Sequence, residues 1–251
     1  FECCMAKDNY IFGTRAVMEA VGTDKQIDKV LIKKESENPL LKELMKLVKK
    51  NKIPYQLVPV QKINKITQKN HQGVLALISP VKFYDIHEIV TRVFEAGEMP
   101  FILVLDGVTD VRNFGAVVRT AECAGVHAVL IPEKNSARIN ADAVKTSAGA
   151  LHKVPLCRTH SLRKTIEELK NAGLIIISAS EKAENSYYEI DLTKPHVLVA
   201  GAEDKGVSKS IISLSDEFVK IPLMGDIKSL NVSVAASILM YETVRQRIKN
   251  N

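Results

Sequence analysis

Five apolar runs in the second part of the chain limit its fold more than any other feature. They are "FILVL" (101–105), "HAVLI" (127–131), "LIIIS" (174–178), "HVLVA" (196–200) and "FVKI" (218–221). Segments with helical spacing lie between them, at 114–124, 140–148 and 161–172. A strand that is apolar along its whole length is buried on both faces, and strands that alternate with helices pair in parallel. The pattern predicts an α/β unit with a parallel sheet covered on both sides. The runs are far too short to cross a membrane. Ligands of such sheets bind beyond the carboxyl ends of the strands, so the loops after the runs are where chemistry is expected.

Three of those loops are rich in polar groups. After "FILVL" comes "DGVTDVRNFGAVVRTAECAG", with Asn113 at a helix entrance and Arg119 six residues further on. An Asn cap and a surface Arg are the plain reading. Arg119 nevertheless sits between Val118 and Ala121 in an apolar run, where a guanidinium is expected to have a fixed partner. After "HVLVA" comes "GAEDKGVSKS", in which Gly201 and Gly206 bracket Glu203. This is neither a GxGxxG fingerprint nor a P-loop, so a nicotinamide or nucleoside-triphosphate site has little support. After "FVKI" comes "PLMGDIKSLNVSVAAS", where Ser229, Asn231 and Ser233 crowd the start of an apolar helix. One capping residue satisfies a helix start. The surplus points to a mouth that is half cap and half ligand site.

Residues 10–78 read differently, as helix, strand, helix, strand, helix, strand. "TRAVMEAV" is helical, "KVLIK", "YQLV" and "VLALI" are strands, and "PLLKELMKLVKKN" has helical spacing with lysines between its apolar residues. "SPVKFYD" (79–85) breaks the pattern and is taken as the boundary. The expected division is a small α/β domain over 5–78 and a larger one over 84–251, led by the helix "DIHEIVTRVFEAG". Phe1–Cys4 read as a remnant upstream of a start at Met5.

The net charge is +6, and lysines dominate the first part, an invitation to a polyanion. The four cysteines have neither disulfide-like nor zinc-like spacing, which suggests a reducing cytoplasm. The six histidines form no ligand pairs, so no metal is expected.

Together "LDGVTDVRNFGAVVRTAECAGVHAVLIP", "LVAGAEDKGVSKS" and "IPLMGDIKSLNVSVAASILMYETVRQR" resemble, in order and separation, the three motifs of the SpoU (TrmH-type) RNA ribose 2′-O-methyltransferases. The likeness covers essentially all of 100–248. "DGVTD", "AGVHAV" and "SLNVSVA" are most similar to the bacterial enzymes that methylate a guanosine ribose of 23S ribosomal RNA. "IFGTRAVMEAV" and "NHQGVLA" are more loosely similar to the family's small RNA-binding domain. The resemblance implies a trefoil-knotted, SPOUT-type domain, a homodimer, S-adenosyl-L-methionine as methyl donor, and RNA as partner. It implies a catalytic centre of Asn113, Arg119, Ser229 and Asn231 with Glu203 beside them. Cofactor contacts are implied at Gly201, Ile221, Leu230 and Asn231, with Gly206 in the same loop. The chain departs from the family at Val111, where a proline usually follows the motif Asp.

The chemistry suits these residues. Only RNA carries a 2′-hydroxyl, and alignment of reacting atoms supplies about 7 kcal/mol in ideal cases. Asn113 and Asn231 offer donors and acceptors to orient a ribose hydroxyl. A guanidinium free in water holds its proton, so Arg119 is either a base in an unusual site or the group that binds the target phosphate. A transfer RNA substrate, or a knotted RNA-binding protein without catalysis, are the alternatives.

Overall fold

The computed structural model describes residues 10–23, 26–34, 38–51 and 53–249. The suggested remnant Phe1–Cys4 and the start at Met5 lie outside the described residues. The chain divides into two compact units between Pro80 and Val81.

The N-terminal unit runs β1 (Tyr10–Phe12), α1 (Thr14–Val21), β2 (Ile27–Lys33), α2 (Pro39–Lys50), β3 (Tyr55–Val58), α3 (Val60–Asn64) and β4 (Val74–Ile78). Its sheet has the order β1-β4-β2-β3, with β2 and β3 parallel and the other pairs antiparallel. Alternation along β2 feeds two small cores. Val30 and Ile32 pack with Val17 of α1 and with Leu41, Leu44 and Val48 of α2. Leu31 points the other way, towards Val58, Ile63 and Leu75. Helix α2 starts at Asn38, whose side chain accepts from the Leu40 N–H at 3.0 Å, and Pro39 occupies its first turn, where a missing N–H costs nothing. Its lysines lie outside the buried Leu41–Leu44–Val48 stripe.

The C-terminal unit runs β5 (Phe83–Tyr84), α4 (Ile86–Glu95), β6 (Phe101–Asp106), α5 (Val111–Cys123), β7 (Ala128–Pro132), α6 (Ala141–Thr146), a 3-10 turn (Ala150–His152), β8 (Leu156–Thr159), α7 (Leu162–Asn171), β9 (Ile175–Ala179), β10 (Asn185–Ser186), β11 (His196–Gly201), α8 (Lys209–Ile212), β12 (Glu217–Lys220) and α9 (Val232–Lys249). The strands form one sheet in the order β10-β12-β9-β11-β6-β7-β8-β5, and every pairing is parallel. Helices cover both faces. Phe101, Leu103 and Leu105 of β6 join a core with Phe114, Val117 and Val118 of α5 and Ala236, Leu239 and Met240 of α9. Ile102 and Val104 of the same strand join the opposite core with Ile89 of α4 and Ile166 of α7. Burial on two faces is why the strand sequences lack polar alternation. The segment read as a break at 79–85 contains β5, which pairs with β8 at the sheet edge.

Chain order and strand order part company at β6. The chain steps from β6 to β7 and β8, then crosses to β9, and β11 returns to lie between β9 and β6. Such a reversal opens a crevice at the carboxyl ends of the strands on either side. Far from that crevice, the end of α9 is clasped to the sheet. Gln246 accepts from the Leu192 N–H at 2.8 Å and donates to the Ile190 carbonyl at 3.0 Å, while Arg247 donates to the Met99 carbonyl at 2.8 Å. His196 lies fully buried there. Its Nδ1 faces the Lys194 carbonyl at 2.8 Å and so carries the proton, leaving Nε2 to accept from the Thr243 hydroxyl at 3.3 Å. Burial pushes the His196 pKa down to about 4.

Candidate active site

Helix α5 begins at Asp110, whose carboxylate accepts from the Asn113 N–H at 2.8 Å. Val111 therefore stands at the first helical position. The family's proline would suit that place, but its N–H needs no helical partner, so Val fits the same cap. The cap directs Asn113 towards the loop after β11. Its Nδ2 donates to Glu203 Oε1 at 2.9 Å. Asn231, immediately before α9, donates through its own Nδ2 to the same Oε1 at 2.8 Å and to Asn113 Oδ1 at 3.1 Å. The Val232 N–H, at the helix mouth, adds a longer bond of 3.4 Å to Glu203 Oε1. One carboxylate oxygen thus gathers the loops after β6, β11 and β12.

Asn231 serves two purposes with its two amide atoms. Oδ1 caps α9, accepting from the Ser233 N–H at 2.9 Å and the Ser233 hydroxyl at 2.6 Å. Nδ2 belongs to the carboxylate network. The polar crowd at the helix start therefore resolves into a double-duty Asn231, a Ser233 that steadies it, and Ser229, which makes no hydrogen bond among the described residues and lines a neighbouring cavity.

That cavity, about 920 Å³, lies beyond the ends of β9, β11 and β12. Gly201, Glu203, Gly206, Ile221, Ser229 and Leu230 are among its lining residues. Its size is at the upper end of what small-molecule sites usually have. The Gly201–Val207 wall is a tight turn. Gly206 takes φ +65°, Ala202 and Gly206 exchange backbone hydrogen bonds of 3.2 and 2.8 Å, and a Cβ on Gly201 would fall 2.0 Å from the Gly206 carbonyl carbon. Asp106, at the end of β6, ties the turn down by accepting from the Ser208 N–H at 2.8 Å.

Arg119 stands apart. The buried side of α5 is Phe114, Val117, Val118 and Ala121, and Arg112, Ala116, Arg119 and Cys123 share the other side. Arg119 is exposed and has neither a hydrogen bond nor an ion pair among the described residues. The fixed partner expected from its apolar neighbours is absent because those neighbours turn inward, leaving the guanidinium outside. The structure thus joins Asn113, Glu203 and Asn231, sets Gly201, Gly206, Ile221, Ser229 and Leu230 around one cavity, and leaves Arg119 unengaged. Sequence reasoning missed Asp106 and the Ser237–Thr120 hydroxyl pair, 3.1 Å apart, which ties α9 to α5. A carboxylate closing a strand ahead of a glycine was the available signal for Asp106. Among the described residues no cluster of His, Cys, Asp and Glu is arranged to hold a metal.

Comparison with known proteins identifies the family. Residues 100–241 match the SpoU rRNA Methylase family, and residues 10–84 match the RNA 2′-O ribose methyltransferase substrate binding family. A putative TrmH family tRNA/rRNA methyltransferase of Staphylococcus aureus is 36% identical over 241 residues, 96% of this chain and 97% of that protein. The crystal structure of the SpoU methyltransferase AviRb from Streptomyces viridochromogenes, in complex with the cofactor AdoMet, superposes with a TM-score of 0.61 at 25% identity, covering 96% of this chain and 90% of that one. The A. aeolicus TrmH/SpoU tRNA modifying enzyme is 32% identical with a TM-score of 0.55, over 65% of this chain and 85% of that one. Apart from the edge strand β5, the C-terminal sheet, its cavity and its amide–carboxylate network thus fall within one matched region, and the chain belongs to the SpoU (TrmH-type) family of RNA methyltransferases.

Proposed function

We propose that the protein transfers a methyl group from S-adenosyl-L-methionine to a ribose 2′-hydroxyl of RNA, a guanosine of large-subunit ribosomal RNA in particular. The observation that carries the reading is the Asn113–Glu203–Asn231 network beside the cavity. The cavity fits the donor's chemistry. Apolar Ile221, Leu230 and Leu239 suit a purine, backbone at 200–206 and 221–230 offers hydrogen bonds, and the Glu203 carboxylate suits a nearby positive charge. When bound, the cofactor supplies its methyl group as an electrophilic sulfonium substituent.

The chain's own residues do the rest. Glu203 holds the two amides in one orientation, so that Asn113 and Asn231 present fixed dipoles to an incoming hydroxyl. Arg119, exposed on α5, is in this reading the group that receives an RNA phosphate and polarises the target hydroxyl. The residues Asn113, Arg119, Glu203, Ser229 and Asn231 form the catalytic group in this reading, and Gly201, Gly206, Ile221 and Leu230 the cofactor wall. The N-terminal domain grips the RNA, and the C-terminal segment is threaded as a trefoil knot.

A homodimer accords with α9, which is apolar on two sides. Val232, Ala236, Leu239 and Met240 face the core, while Val234, Tyr241 and Ile248 are 47%, 49% and 70% exposed. A helix apolar on both sides requires a second cover. Cys123 and Cys157 are free thiols, in keeping with a cytoplasmic setting. Ribosomal RNA is favoured by the likeness of "DGVTD" and "AGVHAV" to the rRNA enzymes. Transfer RNA is the second reading, since the A. aeolicus relative is a tRNA modifying enzyme.

The test is tritium transfer from labelled S-adenosylmethionine into total RNA lacking such methyl groups, followed by size separation. Label is expected in the large ribosomal RNA and is lost when the target ribose is 2′-deoxy. Label in transfer RNA moves the substrate to the second reading. No label in any RNA together with no cofactor binding overturns the catalytic reading in favour of an RNA-binding protein that retains the fold.

A further inference from the structure

Between Glu43 and Asp85 the chain has no Asp or Glu, yet the stretch contains eight lysines. Lys62, Lys65 and Lys69 are exposed on α3 and on the loop that leads to β4. That loop is fixed. His71 accepts the Gly73 N–H at its Nδ1 (3.0 Å), so its Nε2 donates to Asn64 Oδ1 (2.7 Å), and Gln72 Oε1 accepts from the Thr14 N–H at the start of α1 (3.2 Å).

An aromatic ring lies under the same loop. Phe12 pairs with Leu75, and Leu75 with Leu31. Both leucines belong to the small core around Ile63 of α3, so Phe12 stands on the α3 side of the sheet, on its outer strand. It is half-buried, with the Lys69 ammonium 5.7 Å from its ring centroid and the Tyr10 ring 6.2 Å away.

We propose that Phe12 and Lys69 form a nucleotide-holding site on the N-terminal unit, in which an unpaired base of the RNA stacks on Phe12 and Lys69 and Lys65 meet the flanking phosphates. The proposal deepens the reading of the chain as an RNA methyltransferase and rests on it. A single-stranded nucleotide offers a flat π face and an anionic linkage side by side, and recognition of unpaired RNA pairs aromatic stacking with cations. The exposed Lys69 side chain makes no ion pair among the described residues, so it can leave the ring to a base and turn to the phosphate. Acidic protein partners would match the lysines but leave the ring unused.

The test uses the full chain and two probes, a single-stranded oligouridylate of about 12 nucleotides and a duplex RNA of the same length. Phe12→Leu is expected to raise the Kd for the single strand about tenfold, with S-adenosylmethionine affinity and Tm unchanged. Phe12→Tyr keeps the ring and is expected to bind like the parent. Lys69→Gln is expected to reduce the slope of log Kd against log salt by about 0.7. Unchanged affinity in Phe12→Leu, or an equal loss on single strand and duplex, would overturn the proposal. If Phe12-dependent binding is found but the protein methylates no RNA, the functional reading fails and the site stands. If methyl transfer proceeds and the Phe12 variants bind like the parent, the site alone fails.

Discussion

Asn231→Asp changes one atom of the site. The substituted side chain keeps the oxygen that caps α9, and Asp caps a helix start as well as Asn does. What it loses is the Nδ2 donor that lies 2.8 Å from Glu203 Oε1 and 3.1 Å from Asn113 Oδ1. A carboxylate oxygen in that place faces another carboxylate at hydrogen-bond distance, and such a pair cannot both ionise cheaply. The pair escapes by taking up one proton, which costs about 1.4 kcal/mol for each pH unit above the ordinary carboxyl range. At pH 7 that ceiling is about 4 kcal/mol. Both residues are exposed, and screening by solvent brings the expectation to about 2 kcal/mol, or roughly 30-fold in turnover. The loss should shrink at pH 5.5 and grow at pH 8, because the proton is easier to hold in acid. Methyl-transfer turnover and thermal unfolding at both pH values measure it. Adding Glu203→Gln to Asn231→Asp restores one amide and one carboxylate, with their places exchanged, and should remove the pH dependence. A loss that is the same at both pH values, and no larger than that of Asn231→Ala, would refute the reasoning.

Three further outcomes are expected. Gly201→Ala places a methyl 2.0 Å from the Gly206 carbonyl carbon and 2.2 Å from the Val207 nitrogen, both backbone atoms; the turn must open, and S-adenosylmethionine affinity measured by calorimetry should fall tenfold or more. Arg119→Ala should abolish methyl transfer while leaving Tm nearly unchanged, since the side chain is exposed and bonds to nothing among the described residues; Arg119→Lys should retain activity if a labile proton or a simple positive charge suffices and lose it if the planar guanidinium fork is needed. His196 is held neutral with its pKa at about 4, so the unfolded chain binds the extra proton. Its contribution is complete above about pH 6.5 and is lost as pH falls towards 4, a drop of up to about 3 kcal/mol; urea unfolding of His196→Gln should show a weaker loss over that interval.

The fold was legible where burial writes itself into the sequence. Each of the five apolar runs is a strand, since residues such as Leu103 and Val104 feed opposite cores and leave no polar alternation. Strands β1, β5, β8 and β10 went unmarked, β1 being only the three-residue edge strand Tyr10–Phe12. Leu156–Thr159 mixes Leu156 and Cys157 with Arg158 and Thr159, and Phe83–Tyr84 and Asn185–Ser186 are two-residue edge strands, held by pairing and too short for a period. The polar loops were legible as a group, because their strand ends were. The hub was not. Nothing in "GAEDKG" separates Glu203 from Asp204, and only the fold sets the first against two asparagines. Arg119 was read as partnered because its neighbours are apolar, but its position round the helix decides, and that side of α5 faces outward.

The hydrogen bond between Asn231 and Asn113 joins residues 118 positions apart, and Glu203 reaches Asn113 across 90. The bond to Asn231 cannot exist before that residue, at the mouth of α9, has been synthesised and has docked. A chain made as far as the parallel sheet, but lacking this helix, holds Asn113 and Glu203 without the third member of their network. In the proposed reading, methyl transfer waits on the docking of α9, because Asn231 is made after both of its partners.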